Sequence, residues 1–267
     1  MTDSSLIKKQ SNYGVVSIIM PSFNSSKYIG TAIVSVLNQT YPFWELIIID
    51  DASTDNTVDV INTFNDYRIK VLENEINKGA AISRNRGLSA ASGRFIAFLD
   101  SDDFWYPNKL QTQLDFMLKN NYDFTCTYCD YIDEDGKSLK MIDTCPKKIT
   151  KTLLYLYNWI ACQTVIYDSS KIGLIQIEDL KKRNDYALWL KAINYSNCYC
   201  LNQILASYRV RNNSISKDKL KNLIKSHYYL FHIGQKKNRF VSVVLTLTNM
   251  FFGCIRKVFY VKRGIKA

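Results

Sequence analysis

Asp100-Ser101-Asp102-Asp103 sets three carboxylates within four residues, directly after the apolar run Phe95 to Leu99. Hard carboxylate oxygens gathered in this way suit Mg²⁺ or Mn²⁺, ions that proteins usually hold together with a substrate phosphate. A second acidic pair, Asp50-Asp51, follows the stretch Phe43 to Ile49, apolar except for Glu45. In open α/β sheets ligands bind beyond the carboxyl ends of the strands, so both acidic loops fall where a ligand is expected. The acidic loop has a simpler reading too, as a cap for a helix beginning near Pro107, because Asp and Ser are good N-caps. Further on, Lys181-Lys182-Arg183-Asn184-Asp185 combines a cationic patch with one carboxylate at the start of an amphipathic segment.

The elements that would position these groups alternate. Val15 to Pro21 reads as a buried first strand, and Ser25 or Ser26 as the cap of a helix carrying Ile29, Ile33, Val36 and Leu37. Strands at 43–49, 68–72 and 95–99 alternate with helices at 56–64 and 79–91. This βαβα order predicts a doubly wound, mainly parallel α/β sheet. A glycine-rich dinucleotide fingerprint and a P-loop are both missing. The stretch 120–149 holds a strand and a hairpin turn at Asp133 to Lys137. Helical periodicity follows through Leu153, Leu154 and Leu156, then a short apolar run from Cys162 to Tyr167.

The 267 residues are 47% apolar, enough for a full core, and the net charge is +11. Residues 219–267 contain eleven basic and no acidic residues, so the excess charge sits in the tail. A polar N-terminus without a secretory signal and an odd count of seven cysteines point to a reducing, cytoplasmic setting. Cys126 and Cys129 fall in a predicted strand on opposite faces, which favours buried thiols over a zinc site.

Several ordered segments resemble the inverting glycosyltransferases of the second family, whose nucleotide-sugar domain has the GT-A fold. They are Pro21-Ser22-Phe23-Asn24, Asp50 to Asp55, Asn77-Lys78-Gly79 with Arg84-Asn85, Asp100 to Asp103, and later Arg183 to Tyr186 and Tyr208 to Arg211. The resemblance implies a UDP-sugar donor and a metal cofactor, Mn²⁺ or Mg²⁺. Asp51 would accept from the pyrimidine N–H, with Pro21, Ser22, Phe23 and Asn24 around the base and Arg84 at the base or diphosphate. Asp102 would ligate the metal, with Asp100 and Asp103 as the supporting candidates, one of them touching the ribose or a metal-bound water. Asp185 would be the catalytic base, although Asn184 stands where the family usually has an acid. Tyr208 to Ser216 resembles a closing loop that commonly carries a histidine. Arg211 takes that place here, and with Arg209 it would contact the diphosphate.

These readings divide the chain into a polar extension (1–13), a glycosyltransferase domain (14–217, with the donor half at 14–119 and the acceptor half at 120–217) and a basic tail (218–267). The uncharged run Phe240 to Ile255 is short for a membrane span, and basic residues bracket it. The tail therefore points to an anionic membrane surface and not to nucleic acid, whose partners usually interleave basic with polar residues. The expected enzyme is peripheral at the cytoplasmic face of the bacterial inner membrane. It would build O-antigen or capsule on a polyprenyl-diphosphate-linked saccharide. The rival readings are a non-catalytic nucleotide-sugar or anionic-polymer binder, and a sugar-nucleotide pyrophosphorylase, for which the chain lacks a glycine-rich triphosphate loop.

Overall fold

The computed structural model describes residues 13–211 and 220–264. Four parallel strands form its centre: β1 (Val16–Ser22), β2 (Trp44–Asp50), β3 (Ile69–Glu73) and β4 (Phe95–Phe98). Their spatial order is β3-β2-β1-β4, the order of a doubly wound sheet. Helices α1 (Ile29–Leu37), α2 (Thr57–Asn62) and α3 (Ala80–Ala90) connect them. Both faces of the sheet are covered. Ile19, Ile47, Ile49 and Phe98 enter one apolar cluster, while Ile18, Met20, Leu46 and Ile48 enter the other. Such two-sided burial is why these strands read as continuous apolar runs.

Helix α3 comes very close to the sheet at Gly87. A Cβ there would lie 2.6 Å from Ile49 Cδ1 and 2.7 Å from Ile19 Cγ2. Gly87→Ala is therefore expected to destabilise by about 1–3 kcal/mol through overpacking, read as a fall in the midpoint of thermal unfolding.

Beyond β4 the short strand β5 (Phe104–Trp105) precedes α4 (Lys109–Asn120), so the acidic loop leads into a strand and does not cap that helix. The sheet continues antiparallel through β9 (Ile166–Asp168), β6 (Phe124–Ile132) and β7 (Ser138–Asp143). The Asp133 to Lys137 turn joins β6 to β7, as expected. The small β8 (Lys148–Ile149) leads into α5 (Lys151–Leu156), capped by Thr150, whose side chain accepts from the Leu153 N–H. The run from Cys162 begins as a 3₁₀ turn, becomes β9 only at Ile166, and leads into α6 (Ser169–Ile172). Helix α7 (Asn184–Ala192) follows, then β10 (Cys198–Arg209), which lies parallel to β6 with irregular register between Leu201 and Ala206.

The expected cap of α1 is corrected. Ser25 donates its N–H to Thr57 Oγ1 and pairs its hydroxyl with that of Ser101, and Ser26 binds Asp55. These serines tie loops together, and no side chain caps α1.

The basic tail is not a detached appendage. Helix α8 (Leu220–Tyr229) runs into a π-helical turn whose Leu230 and Phe231 are fully buried. After it, α9 (Arg239–Phe259) leads to β11 (Val261–Arg263), which pairs antiparallel with β7. The segment after residue 219 thus packs on the domain through α9 and β11. The expected boundary after residue 217, the N-terminal extension through Asn12 and the closing-loop residues after Arg211 lie outside the described residues.

Candidate active site

A cavity of about 510 Å³ opens at the carboxyl ends of β1, β2 and β4. Pro21, Ser22 and Phe23 line it from the end of β1, Asp51 from the end of β2, and Asp100 and Asp102 from the loop after β4. Arg84 enters from α3, Asp185 from the first turn of α7, and Arg211 from the end of β10. Nine of the expected residues, scattered from Pro21 to Arg211 in sequence, thus face one space.

Asp51 is buried and held from behind. Its Oδ1 accepts from Asn74 Nδ2 at 2.7 Å and the Lys78 N–H at 2.9 Å, and its Oδ2 accepts from the Gly79 N–H at 2.7 Å. Gly79 has φ +84°, a conformation that glycine adopts without strain. That turn aims the amides of Lys78 and Gly79, just ahead of α3, at the carboxylate. Phe23 is half exposed at the rim, free to meet a planar ring.

Arg84 is almost fully buried and joins the two halves of the site. One guanidinium nitrogen donates to Asp100 and another to Asn184 Oδ1, a hundred residues away in sequence. The carboxylates of Asp100 and Asp185 keep this arginine firmly cationic against the cost of its burial. Asp185 itself is pushed above its ordinary carboxylate value by desolvation, with Arg84 opposing. Asn158 reaches its Oδ2 at 3.5 Å. Asp185 is not a cap, since Arg183 holds the cap position of α7.

The acidic loop has the chemistry of a cation site. Burial, reinforced by the charge of Asp100, raises the pKa of Asp102, and burial with both neighbouring carboxylates raises that of Asp103 well above normal. Arg211 Nε lies 2.8 Å from Asp102 Oδ2, so a positive group already stands against this carboxylate. The carboxylates that this loop presents to the cavity, Asp100 and Asp102, offer hard oxygen donors. Asp102, with Asp100 beside it, therefore fits Mn²⁺ or Mg²⁺.

Three expected residues stand apart from the cavity. Asp103 is 2% exposed and accepts from the Arg209 N–H at 2.8 Å, which anchors β10 to the acidic loop. Arg209 donates to the carbonyls of Asp102, Asp133 and Glu134 and lies over the Tyr28 ring. These bonds brace the loops, and of the two arginines expected at the diphosphate Arg211 is the one that lines the cavity. Asn24 takes a left-handed conformation (φ +47°), and its Oδ1 accepts from the Thr54 N–H. It fastens the β1 loop to the β2 loop and does not face the ligand space.

Sequence reasoning missed Asn74 and Asn158, which contact Asp51 and Asp185, and the bond from Arg84 to Asn184, because no spacing rule links groups so distant along the chain. It also missed Asp143 and Arg256, an ion pair in the cavity wall that brings the tail into the site. Cys126 and Cys129 do fall into separate apolar clusters. Cys126 instead meets Cys145 and Cys200, with all three sulfurs within 4.8 Å of one another.

An α/β sheet with acidic loops at its carboxyl ends is the architecture of GT-A enzymes, and the solved structures it resembles have that fold. Those of S. aureus TarS, in complex with UDP-GlcNAc, match with a TM-score of 0.66 at 22% identity, over 86% of this chain and 70% of that one. A mannosyltransferase from Pyrobaculum calidifontis, in complex with GDP-Man and Mn²⁺, matches with a TM-score of 0.62 at 13% identity, over 92% of this chain and 76% of that one. The profile of "Glycosyl transferase family 2" matches residues 17–167, and the chain belongs to that family. Among its relatives is an E. coli UDP-Glc:alpha-D-GlcNAc-diphosphoundecaprenol beta-1,3-glucosyltransferase, WfgD. It is 44% identical over 211 residues, 78% of this chain and 82% of that protein. A putative teichuronic acid biosynthesis glycosyltransferase of Bacillus subtilis, TuaG, is 41% identical over 210 residues, 78% of this chain and 83% of that protein.

Proposed function

We propose that this glycosyltransferase moves a hexose from a UDP-sugar to a polyprenyl-diphosphate-linked saccharide, with inversion at the anomeric carbon, in the assembly of a bacterial surface polysaccharide. The observation that carries the reading is the shared cavity: Asp51 and the acidic loop on one side and the Asp185 carboxylate on the other, with Arg84 between them. The name of WfgD supports the UDP-linked donor and the lipid-borne acceptor, and that of TuaG supports a role in polysaccharide biosynthesis.

In this reading Asp51 accepts from the uracil N–H and Phe23 packs on the ring. A divalent cation bound at Asp102 and Asp100 would neutralise charge on the departing diphosphate. Arg211 adds a fixed cation at the same place. Asp185 takes the proton of the acceptor hydroxyl as that oxygen attacks the anomeric carbon. The bond from that carbon to the diphosphate breaks, and UDP leaves with the bonding pair. Lys181, Lys182 and Arg183 line the same cavity and suit the acceptor's own diphosphate. The enzyme works peripherally at the cytoplasmic face of the inner membrane, where such acceptors are held.

The test is a panel of radiolabelled nucleotide sugars offered with membrane lipid extract. Label from a UDP-hexose is expected in the lipid fraction, with one free UDP per sugar transferred. Release of pyrophosphate, or bound nucleotide sugar without transfer, would overturn the reading in favour of a pyrophosphorylase or a binding protein.

A further inference from the structure

Helix α9 faces the domain with polar residues beside the partly buried Leu245 and Phe252, and exposes apolar residues on the outside. Ser242, Thr246 and Asn249 are buried against the domain, whereas Phe240, Leu247, Phe251 and Val258 are 78%, 61%, 64% and 73% exposed. The reverse holds for a helix covering the core of a water-soluble protein. The outward residues, with Val243 and Val244 between them, recur at helical spacing and make one continuous stripe. The inward polar groups are satisfied. Thr246 donates to the Ser242 carbonyl at 2.7 Å, Asn249 Nδ2 donates to the Tyr155 carbonyl at 2.8 Å, and the Tyr186 hydroxyl reaches Asn249 Oδ1 at 3.1 Å. This arrangement is built, since each inward polar residue has a defined hydrogen-bond partner, while the outward apolar residues stay largely exposed.

We infer that this stripe is the surface on which the protein docks to an anionic lipid bilayer, with α9 lying in the plane of the interface. The charge pattern selects lipid as the occupant. Exposed Lys236 and Arg239 precede the stripe, exposed Lys257, Lys262 and Arg263 follow it, and no acidic residue occurs after Asp218. A cationic band beside an apolar stripe matches a surface of anionic headgroups above acyl chains. A second copy of the chain would bring an identical positive band against this one.

The helix has 21 residues and is apolar enough to cross a membrane by length and composition. Its inward face is nevertheless committed to Tyr155 and Tyr186, and Arg256 is paired with Asp143 inside the protein. Lipid cannot surround a helix held in this way, so it lies on the bilayer and does not span it.

The docking face is also fixed relative to the chemistry. Tyr186, which holds Asn249, is the neighbour of Asp185, and Arg256 lines the cavity. A bilayer bound to the stripe therefore stands at a set distance from the cavity. The purpose of this placement, delivery of a lipid-borne acceptor, rests on the proposed function, whereas the docking itself does not.

The experiment uses the full chain and the variant Leu247→Asp/Phe251→Asp, floated with phosphatidylcholine vesicles with and without phosphatidylglycerol. Both side chains point outward, so the unfolding midpoint and UDP affinity of the variant are expected to equal those of the wild type. The wild type is expected to float with the phosphatidylglycerol vesicles at low salt, to be partly released by high salt, and to be extracted by alkaline carbonate. The variant's binding is expected to fall about tenfold or more. Its transfer to a vesicle-borne long-chain acceptor falls in parallel, while transfer to a short, water-soluble acceptor is kept. Docking is overturned if the wild type stays off the anionic vesicles, if the variant floats equally well, if carbonate leaves the protein in the membrane, or if the wild type is a dimer that the variant splits. Normal flotation without transfer to either acceptor would refute the proposed function and leave the docking surface supported.

Discussion

Asp185→Asn is expected to lower kcat by about 10²–10⁴-fold while UDP binds as before, because a general base acts on the acceptor and contributes chiefly in the transition state. The side-chain hydrogen bond to Asp185 comes from Asn158 at 3.5 Å, and Asp100 still balances the Arg84 charge, so the amide should fit with little change in stability. The same carboxyl sets a pH dependence. Its pKa is raised by burial, and only the deprotonated form can take a proton. Activity is therefore expected to fall as the pH drops through a value above the usual carboxylate range of about 4, and the acid limb should vanish from the residual activity of Asp185→Asn. Steady-state kinetics across pH, with calorimetry for UDP, provide the check. Lost UDP affinity with turnover spared would remove Asp185 from the role of base.

Asp102→Ala is expected to reduce transfer to background, and treatment of the wild type with EDTA to do the same. The variant loses the carboxylate best placed for the cation, whose stabilisation of the leaving diphosphate contributes several kcal/mol. Its unfolding midpoint is expected to stay near that of the wild type, because the side chain's one ion pair is with Arg211 at the end of β10. Mn²⁺ titrated into each protein and followed by electron paramagnetic resonance separates a lost site from a lost fold. Equal Mn²⁺ binding by both proteins, or full activity in EDTA, would contradict the assignment.

What the sequence made legible follows from local rules. Strands buried on both faces are apolar throughout, so β1, β2 and β4 announce themselves, and each is followed by the loop that carries its functional group. Asp51, Asp102 and Asp185 all appear at element ends and all face the cavity. Supporting contacts were hidden because they join distant residues. Arg84 meets Asn184 through tertiary packing alone, and Arg209 turns to three backbone carbonyls that no pattern of charges could indicate. In the tail the signal was present in another form. Ser242, Thr246 and Asn249 dilute the apolar run when it is read as a whole, yet their spacing puts them on one helical face. Only the fold shows that this face points inward, toward Tyr155 and Tyr186.

The measurement that bears most directly on the central claim, that one cavity carries out an inverting transfer from a UDP-sugar, is the anomeric configuration of the product. The purified full-length enzyme, the UDP-hexose selected by the panel and a short-chain polyprenyl-diphosphate saccharide would be allowed to react, and the new linkage read by proton NMR. A β-linked product from the α-linked donor, with stoichiometric free UDP and no product from Asp185→Asn, is the result expected. An α-linked product, or an unchanged yield from Asp185→Asn, would contradict the account.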